Sequence, residues 1–247
     1  MEQDAKQYNH RRGAGDVEEL EYLKGTEIEA ESILKLINDN RQAGMTAKMF
    51  SGKAGTESSF KAFNGQRKRV MHIGTHGFYA ANDIDNDSSP LVRNLQQYVN
   101  NEDKSLMQSG LYLAGAGNRL NHETIPDSID DGILTAQEVS ALDLRGLELI
   151  TLSACQTAQG RITSDGVFGL QRGFKKAGAQ SILMSLWKVD DEATCLLMTE
   201  FYRNWIDIKM SKHDAIEAAK KTVRSYKEKG WDNPKFWAAF ILLDGLN

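Results

Sequence analysis

Two side chains in this sequence could share a proton at neutral pH, and both follow apolar runs. His76 stands in "HIGTHG" (72–77), just after Val70, Met71 and Ile73, and Cys155 stands in "LSAC" (152–155), after Leu149, Ile150 and Thr151. A thiol with an imidazole able to take its proton is the minimum for cysteine nucleophilic catalysis. Free cysteine, with a pKa near ~8.5, is only a few per cent thiolate at neutral pH, and a neighbouring imidazolium lowers that value. Gly77 leaves its backbone N–H open, and with the N–H of Cys155 it could hold an oxyanion. Ser153, Ala154, Thr157 and Gly160 leave room beside the thiol. The pattern alone leaves a quieter reading open, in which Cys155 fills core space and His76 is a satisfied polar cap. His72, inside its apolar run, reads as a packed core residue. Cys195, beside Leu196 and Leu197 on a helical face, reads as structural.

Delivering both groups to one place requires strands. In open parallel sheets, chemistry sits beyond the carboxyl ends of the strands. Residues 1–20 are polar and unpatterned and read as a flexible arm, with one domain over 21–247. Thr26 with Glu29 makes a capping box, Ile28, Ile33, Leu36 and Ile37 follow a helical stripe, and Gly44 closes the segment. "MTAKMF" (45–50) reads as a short strand, and Thr56 opens a short helix through Phe60 and Phe63. "KRVMHIGTHGFY" (68–79) reads as a strand ending in Gly74-Thr75-His76-Gly77, followed by a polar excursion at 82–109 with one helical turn and a small-residue strand or hairpin at 110–117. A short strand precedes a helix capped by Thr135 with Glu138, and the strand 147–153 leads to Cys155. Val167, Leu170, Phe174 and Ala177 line one face of the next helix, and "QSILMSLWKV" reads as a mostly apolar, buried strand. Asp190 or Asp191 caps one further helix, Ser211 with Asp214 caps another, and "FWAAFILLDG" ends the series as a buried strand. Strands alternating with helices, most of them continuously apolar, predict one α/β domain with a mainly parallel sheet covered on both faces.

Composition narrows the function classes. The chain has 247 residues, 40% hydrophobic and 26% charged, with a net charge of −4. Nucleic-acid binding calls for a clustered basic face, and the one basic run, "QRKRV", leads into a strand as solvated charge. No apolar run approaches the ~20 residues of a membrane span. The polar first thirty residues carry no secretory signal, so two isolated cysteines predict a reduced, cytoplasmic setting. "SGKAGT" lacks the glycine spacing of a phosphate loop. "DIDND" alternates Asp83, Asp85 and Asp87 as a calcium loop would, but lacks its central Gly and terminal Glu. Neither metal nor cofactor is expected. A small-ligand-binding flavodoxin-like domain would need a phosphate loop that the sequence does not contain.

"HIGTHGFY", "SGLYLAGAG", "DGILTAQEVSALDLRGLELITLSACQTAQG", "GVFGLQRGFKKAGAQSILMSLWKVDDEAT" and "FWAAFILL" together resemble the CHAT family of caspase-like cysteine peptidases. The resemblance runs from about residue 22 to 245, with the motifs in the family's order. It implies a caspase-like three-layer sandwich and a dyad, with His76 of "THG" as the base and Cys155 of "SAC" as the nucleophile. The two lie 79 positions apart (76 to 155), more than the ~50 of caspases, and the polar excursion at 82–109 accounts for the excess. Relatives cleaving after Lys or Arg place Asp two residues before the nucleophile, and those cleaving after Asp place Gln. Ser153 stands there, which points to a small or uncharged residue before the scissile bond. Trp187, Lys188 and Asp190 should wall the cleft, although a core tryptophan and a helix N-cap account for Trp187 and Asp190 equally well. The resemblance further implies a protein or peptide substrate, a role in bacterial signalling or defence, and a helical-repeat or sensor partner, in the same chain or separate. Family members carry a strand ahead of the first helix that residues 1–20 do not supply, so a fragment of a longer protein is expected. The alternative is a catalytically silent caspase-like interaction module.

Overall fold

The computed structural model describes residues 23–40, 44–79, 104–117, 130–153, 164–187 and 189–244. Its strands are β1 (Val70–Ile73), β2 (Gly77–Tyr79), β3 (Ser109–Tyr112), β4 (Ile133–Thr135), β5 (Leu149–Leu152), β6 (Ser181–Ser185) and β7 (Phe240–Asp244). Its helices are α1 (Lys24–Asp39), α2 (Glu57–Lys61), α3 (Lys104–Met107), α4 (Ala136–Ser140), α5 (Ser164–Ala177), α6 (Asp191–Tyr202) and α7 (Lys212–Ser225).

Alternation along the central strands decides the layering. The larger sheet has the order β1-β5-β6-β7, parallel across β1, β5 and β6, with β7 antiparallel at the edge. Successive side chains of a strand point to opposite faces. Leu149 and Leu183 therefore join one core, against Ile33 and Ile37 of α1, Leu197 and Phe201 of α6, and Ile216 and Val223 of α7. Ile150, Leu152, Ile182 and Met184 join the other, against Phe60 of α2, Val139 of α4, and Leu170 and Phe174 of α5. Helices thus cover a mainly parallel sheet on both faces, the three-layer arrangement that the resemblance to caspase-like proteins implies. A second, antiparallel sheet of order β2-β3-β4 lies beside it.

Several local expectations need correction. Helix α1 begins at Lys24 with Leu23 as its N-cap and no side-chain cap, so Thr26 and Glu29 form no capping box. Glu29 is drawn inward to His72 instead. Ile28 is 48% exposed and leaves the stripe. The helix ends at Asp39, ahead of Gly44. Residues 45–50 form no strand: Met45 and Ala47 pack on the first core, and Ala47 exchanges backbone contacts with the Asn38 amide in place of a ladder. The single strand expected over 68–79 is split at Gly74-Thr75-His76 into β1 and β2, which join different sheets. Elsewhere the caps agree: Thr56 caps α2, Thr135 with Glu138 makes a complete capping box, Asp190 caps α6, and Ser211 caps α7.

One ion cluster ties the smaller sheet to the second core. Lys61 lies beside Glu57, 3.0 Å from Glu138 and 3.2 Å from Asp130, while Glu57 accepts from the Gly132 N–H at 3.1 Å. Three carboxylates share one ammonium, and Glu57 is the most deeply buried. Burial, assisted by the charges of Glu138 and Asp130, pushes the Glu57 carboxyl up to about 7 despite Lys61. A carboxyl whose folded pKa exceeds its unfolded ~4.3 costs stability as pH rises between those two values. Thermal midpoints should therefore fall from pH 5 to 8 more steeply in the native protein than in Glu57→Gln, which keeps an acceptor for Gly132. Parallel curves would refute this.

Candidate active site

The parallel register sets Val70 opposite Leu149 and Ile73 opposite Leu152. Neighbouring strands lie about 4.8 Å apart, so the segments leaving β1 and β5 emerge side by side. The pairing extends one residue further, because the Ser153 N–H donates to the Ile73 carbonyl at 3.1 Å. His76 lies three residues past the end of β1, and Cys155 three past the end of β5.

The chain then crosses from the larger sheet to the smaller through Gly74-Thr75-His76. Thr75 Oγ1 donates to the Tyr112 carbonyl, and the Tyr112 N–H donates to the His76 carbonyl at 2.9 Å. Those two bonds clamp the backbone on either side of His76, whose residue is only 9% exposed. Because Gly77 stands opposite Leu111 while His76 takes the bond from Tyr112, antiparallel alternation turns the Gly77 N–H away from β3. That donor points to the side of β2 away from β3, where no strand pairs with it among the described residues.

Ser153 is buried at 6% exposure, and its Oγ has no hydrogen-bond partner among the described residues. Trp187 follows β6 at the same end of the sheet, packs on the first core, and donates its indole N–H to the Lys235 carbonyl at 3.1 Å. The Asp190 carboxylate accepts from the Ala193 N–H at 3.0 Å as the cap of α6. The polar groups of Trp187 and Asp190 are thus engaged locally. Cys155 and the small residues after it, Lys188, residues 82–103 with their three alternating aspartates, and the arm at 1–20 all lie outside the described residues. Cys195 is half-buried on α6, where burial first, and then the Glu29 carboxylate, push its thiol up. It is held protonated and is a poor nucleophile.

Behind β1 lies a polar chain that residue patterning did not reveal. His72 Nε2 sits 3.0 Å from Glu29 Oε1, and its Nδ1 lies 3.3 Å from the Tyr202 hydroxyl, which is 2.8 Å from Thr151 Oγ1. Tyr202 is fully buried and its phenol is pushed up by that burial. The chain links α1, β1, β5 and α6 directly under the strand ends. His72 thus packs as the sequence reading expects, its Nδ1 paired with the Tyr202 hydroxyl and its Nε2 close to the Glu29 carboxylate but without hydrogen-bond geometry to it. Among the described residues no group of His, Cys, Asp and Glu converges as a metal site, and no helix is long and apolar enough to cross a membrane.

The CHAT domain family matches residues 9–245. The chain belongs to that family. The match starts inside the segment that reads as an arm, ahead of the first described helix. Among curated proteins, the CHAT domain is similar to tetratricopeptide repeat protein 28 of Mus musculus, 38% identical over 113 residues. It is also similar to the protein of that name in Homo sapiens, 36% identical over 124 residues. Those stretches cover 45% and 49% of this chain but only 4% and 5% of the relatives.

Proposed function

We propose that this CHAT domain is a cysteine endopeptidase in which Cys155 is the nucleophile and His76 its proton partner. The parallel pairing of β1 with β5 carries the reading, because the two residues follow neighbouring strand ends at the same three-residue offset. The thiolate attacks the peptide carbonyl carbon, and His76 holds the proton taken from sulfur. The outward Gly77 N–H and the Cys155 N–H stabilise the tetrahedral oxyanion. His76 then protonates the departing amine, leaving a thioester. Water, deprotonated by His76, hydrolyses that thioester and returns the thiol. Ser153, small and neutral, suits an uncharged residue before the cut, and Trp187 offers an apolar wall along which an extended substrate can pair its backbone. The substrate is a protein or peptide cut in cytoplasmic signalling or defence. The relatives' name supports a helical-repeat region or partner that governs the domain, and their length supports a longer native chain.

That name describes repeats rather than an activity, which favours a second reading: a caspase-like surface that binds without cutting. Labelling with a peptide chloromethyl ketone separates the two. The peptidase reading expects modification of Cys155 ahead of Cys195, lost in Cys155→Ala and weakened in His76→Ala. Equal labelling of both thiols, or of Cys195 alone, would overturn it in favour of the binding surface.

A further inference from the structure

The first turn of α1 meets the loops that leave three of the central strands. A Cβ built on Gly74 would overlap the Cγ2 methyl of Thr26, and the same point lies 3.4 Å from Ser153 Oγ. One residue earlier, a Cβ on Gly25 would meet the Asp191 Cβ at 2.5 Å, at the start of α6 beyond β6. Gly74 stands two residues before His76, and Ser153 two before Cys155. The Thr26 methyl therefore fills the notch where the segments carrying the two reacting groups leave the sheet. One turn further along α1, Glu29 touches His72, two residues before Gly74. Two successive turns of the helix are thus matched to alternate residues of the strand, and that match fixes how far α1 can slide along β1.

We propose that Thr26 is a positioning residue for the His76–Cys155 pair, acting as a knob in the Gly74 notch. The proposal rests on the peptidase reading above. It gives a reason for glycine at 74, where the backbone conformation itself makes no demand for it: any larger residue displaces α1 or lifts the His76 segment. Packed interiors give way poorly to even one added methyl, and a misplacement of about 1 Å at reacting groups can cost 10²-fold in rate.

The test is a two-residue cycle with alkylation of Cys155 by a peptide chloromethyl ketone, measured across pH, alongside thermal midpoints. Gly74→Ala should slow alkylation by about 10²-fold and move its pH midpoint toward the ~8.5 of an unassisted thiol. Thr26→Ser removes the overlapping methyl, and in combination with Gly74→Ala it should restore both rate and pH midpoint. If Gly74→Ala does not fold, Thr26→Ser alone carries the test. It should lower the maximal rate and shift the pH midpoint, whereas Ile37→Ala, at the far end of α1, lowers the thermal midpoint more and leaves the pH midpoint in place. A folded Gly74→Ala that alkylates like the native protein, a double variant that fails to recover, or a Thr26→Ser profile that matches Ile37→Ala would overturn the role of Thr26. A native protein with no preference for Cys155 would instead overturn the peptidase reading on which the role depends.

Discussion

If the domain is the peptidase proposed above, Cys155→Ala should lower peptide cleavage by at least about 10⁴-fold while leaving the thermal midpoint near that of the native protein. The size follows from the chemistry: without sulfur there is no thioester, and only substrate binding and the oxyanion donors remain to accelerate the attack of water. His76→Ala is expected to be less severe, about 10²–10⁴-fold, because the thiol keeps a small ionised fraction and solvent can carry the proton. That loss should shrink as pH rises toward the thiol's own ionisation, whereas the Cys155→Ala loss should not. Steady-state cleavage of a peptide library across pH reads both. Cleavage surviving in Cys155→Ala would remove the nucleophile assignment, and a His76→Ala deficit independent of pH would remove the proton-transfer role.

Phe174→Ala is the substitution expected to damage the fold most. Phe174 is fully buried in the second core and meets Phe60 edge-on at 6.2 Å between ring centroids. Its neighbour Gly173 brings α5 against α4 so closely that a Cβ there would lie 2.6 Å from the Ala136 carbonyl oxygen. With its helix held so tightly, the site cannot collapse around a lost ring. Truncating a buried phenylalanine costs about 3–5 kcal/mol, a large part of the ~5–15 kcal/mol that holds a domain together. The thermal midpoint should fall by about 10 °C, and Phe174→Leu should recover most of it. A shift of only a degree or two would show that this core repacks freely.

The long apolar runs were legible because burial on both faces leaves a strand few polar positions: "LELITL" and "SILMS" predict β5 and β6, and the pairing of β5 with β1 supports bringing together the segments that carry His76 and Cys155. Caps were legible where side chain and backbone act within one turn, as at Thr135 with Glu138. Expectations failed where distant residues decide. Thr26 and Glu29 have the spacing of a capping box, but the Gly74 notch takes the methyl of one and His72 takes the carboxylate of the other. "MTAKMF" has strand-like residues, yet packing on the first core and Asn38 satisfy it without a ladder partner. Three-residue β2 carries no period to read, since its existence depends on β3 arriving from beyond the polar excursion.

The order of strands across the larger sheet has a consequence for synthesis. β5 and β6 are near in sequence, but β1 must wait for β5, since Ile73 finds Leu152 79 positions later. The sheet is complete only when Asp244 has been made. Closing such distant pairings is slow, so a nascent chain on the ribosome carries the imidazole long before it carries the sulfur. A polypeptide released early, at any point before β7, would hold an unfinished sheet edge on β6. Premature termination should therefore yield aggregation-prone product rather than a folded domain.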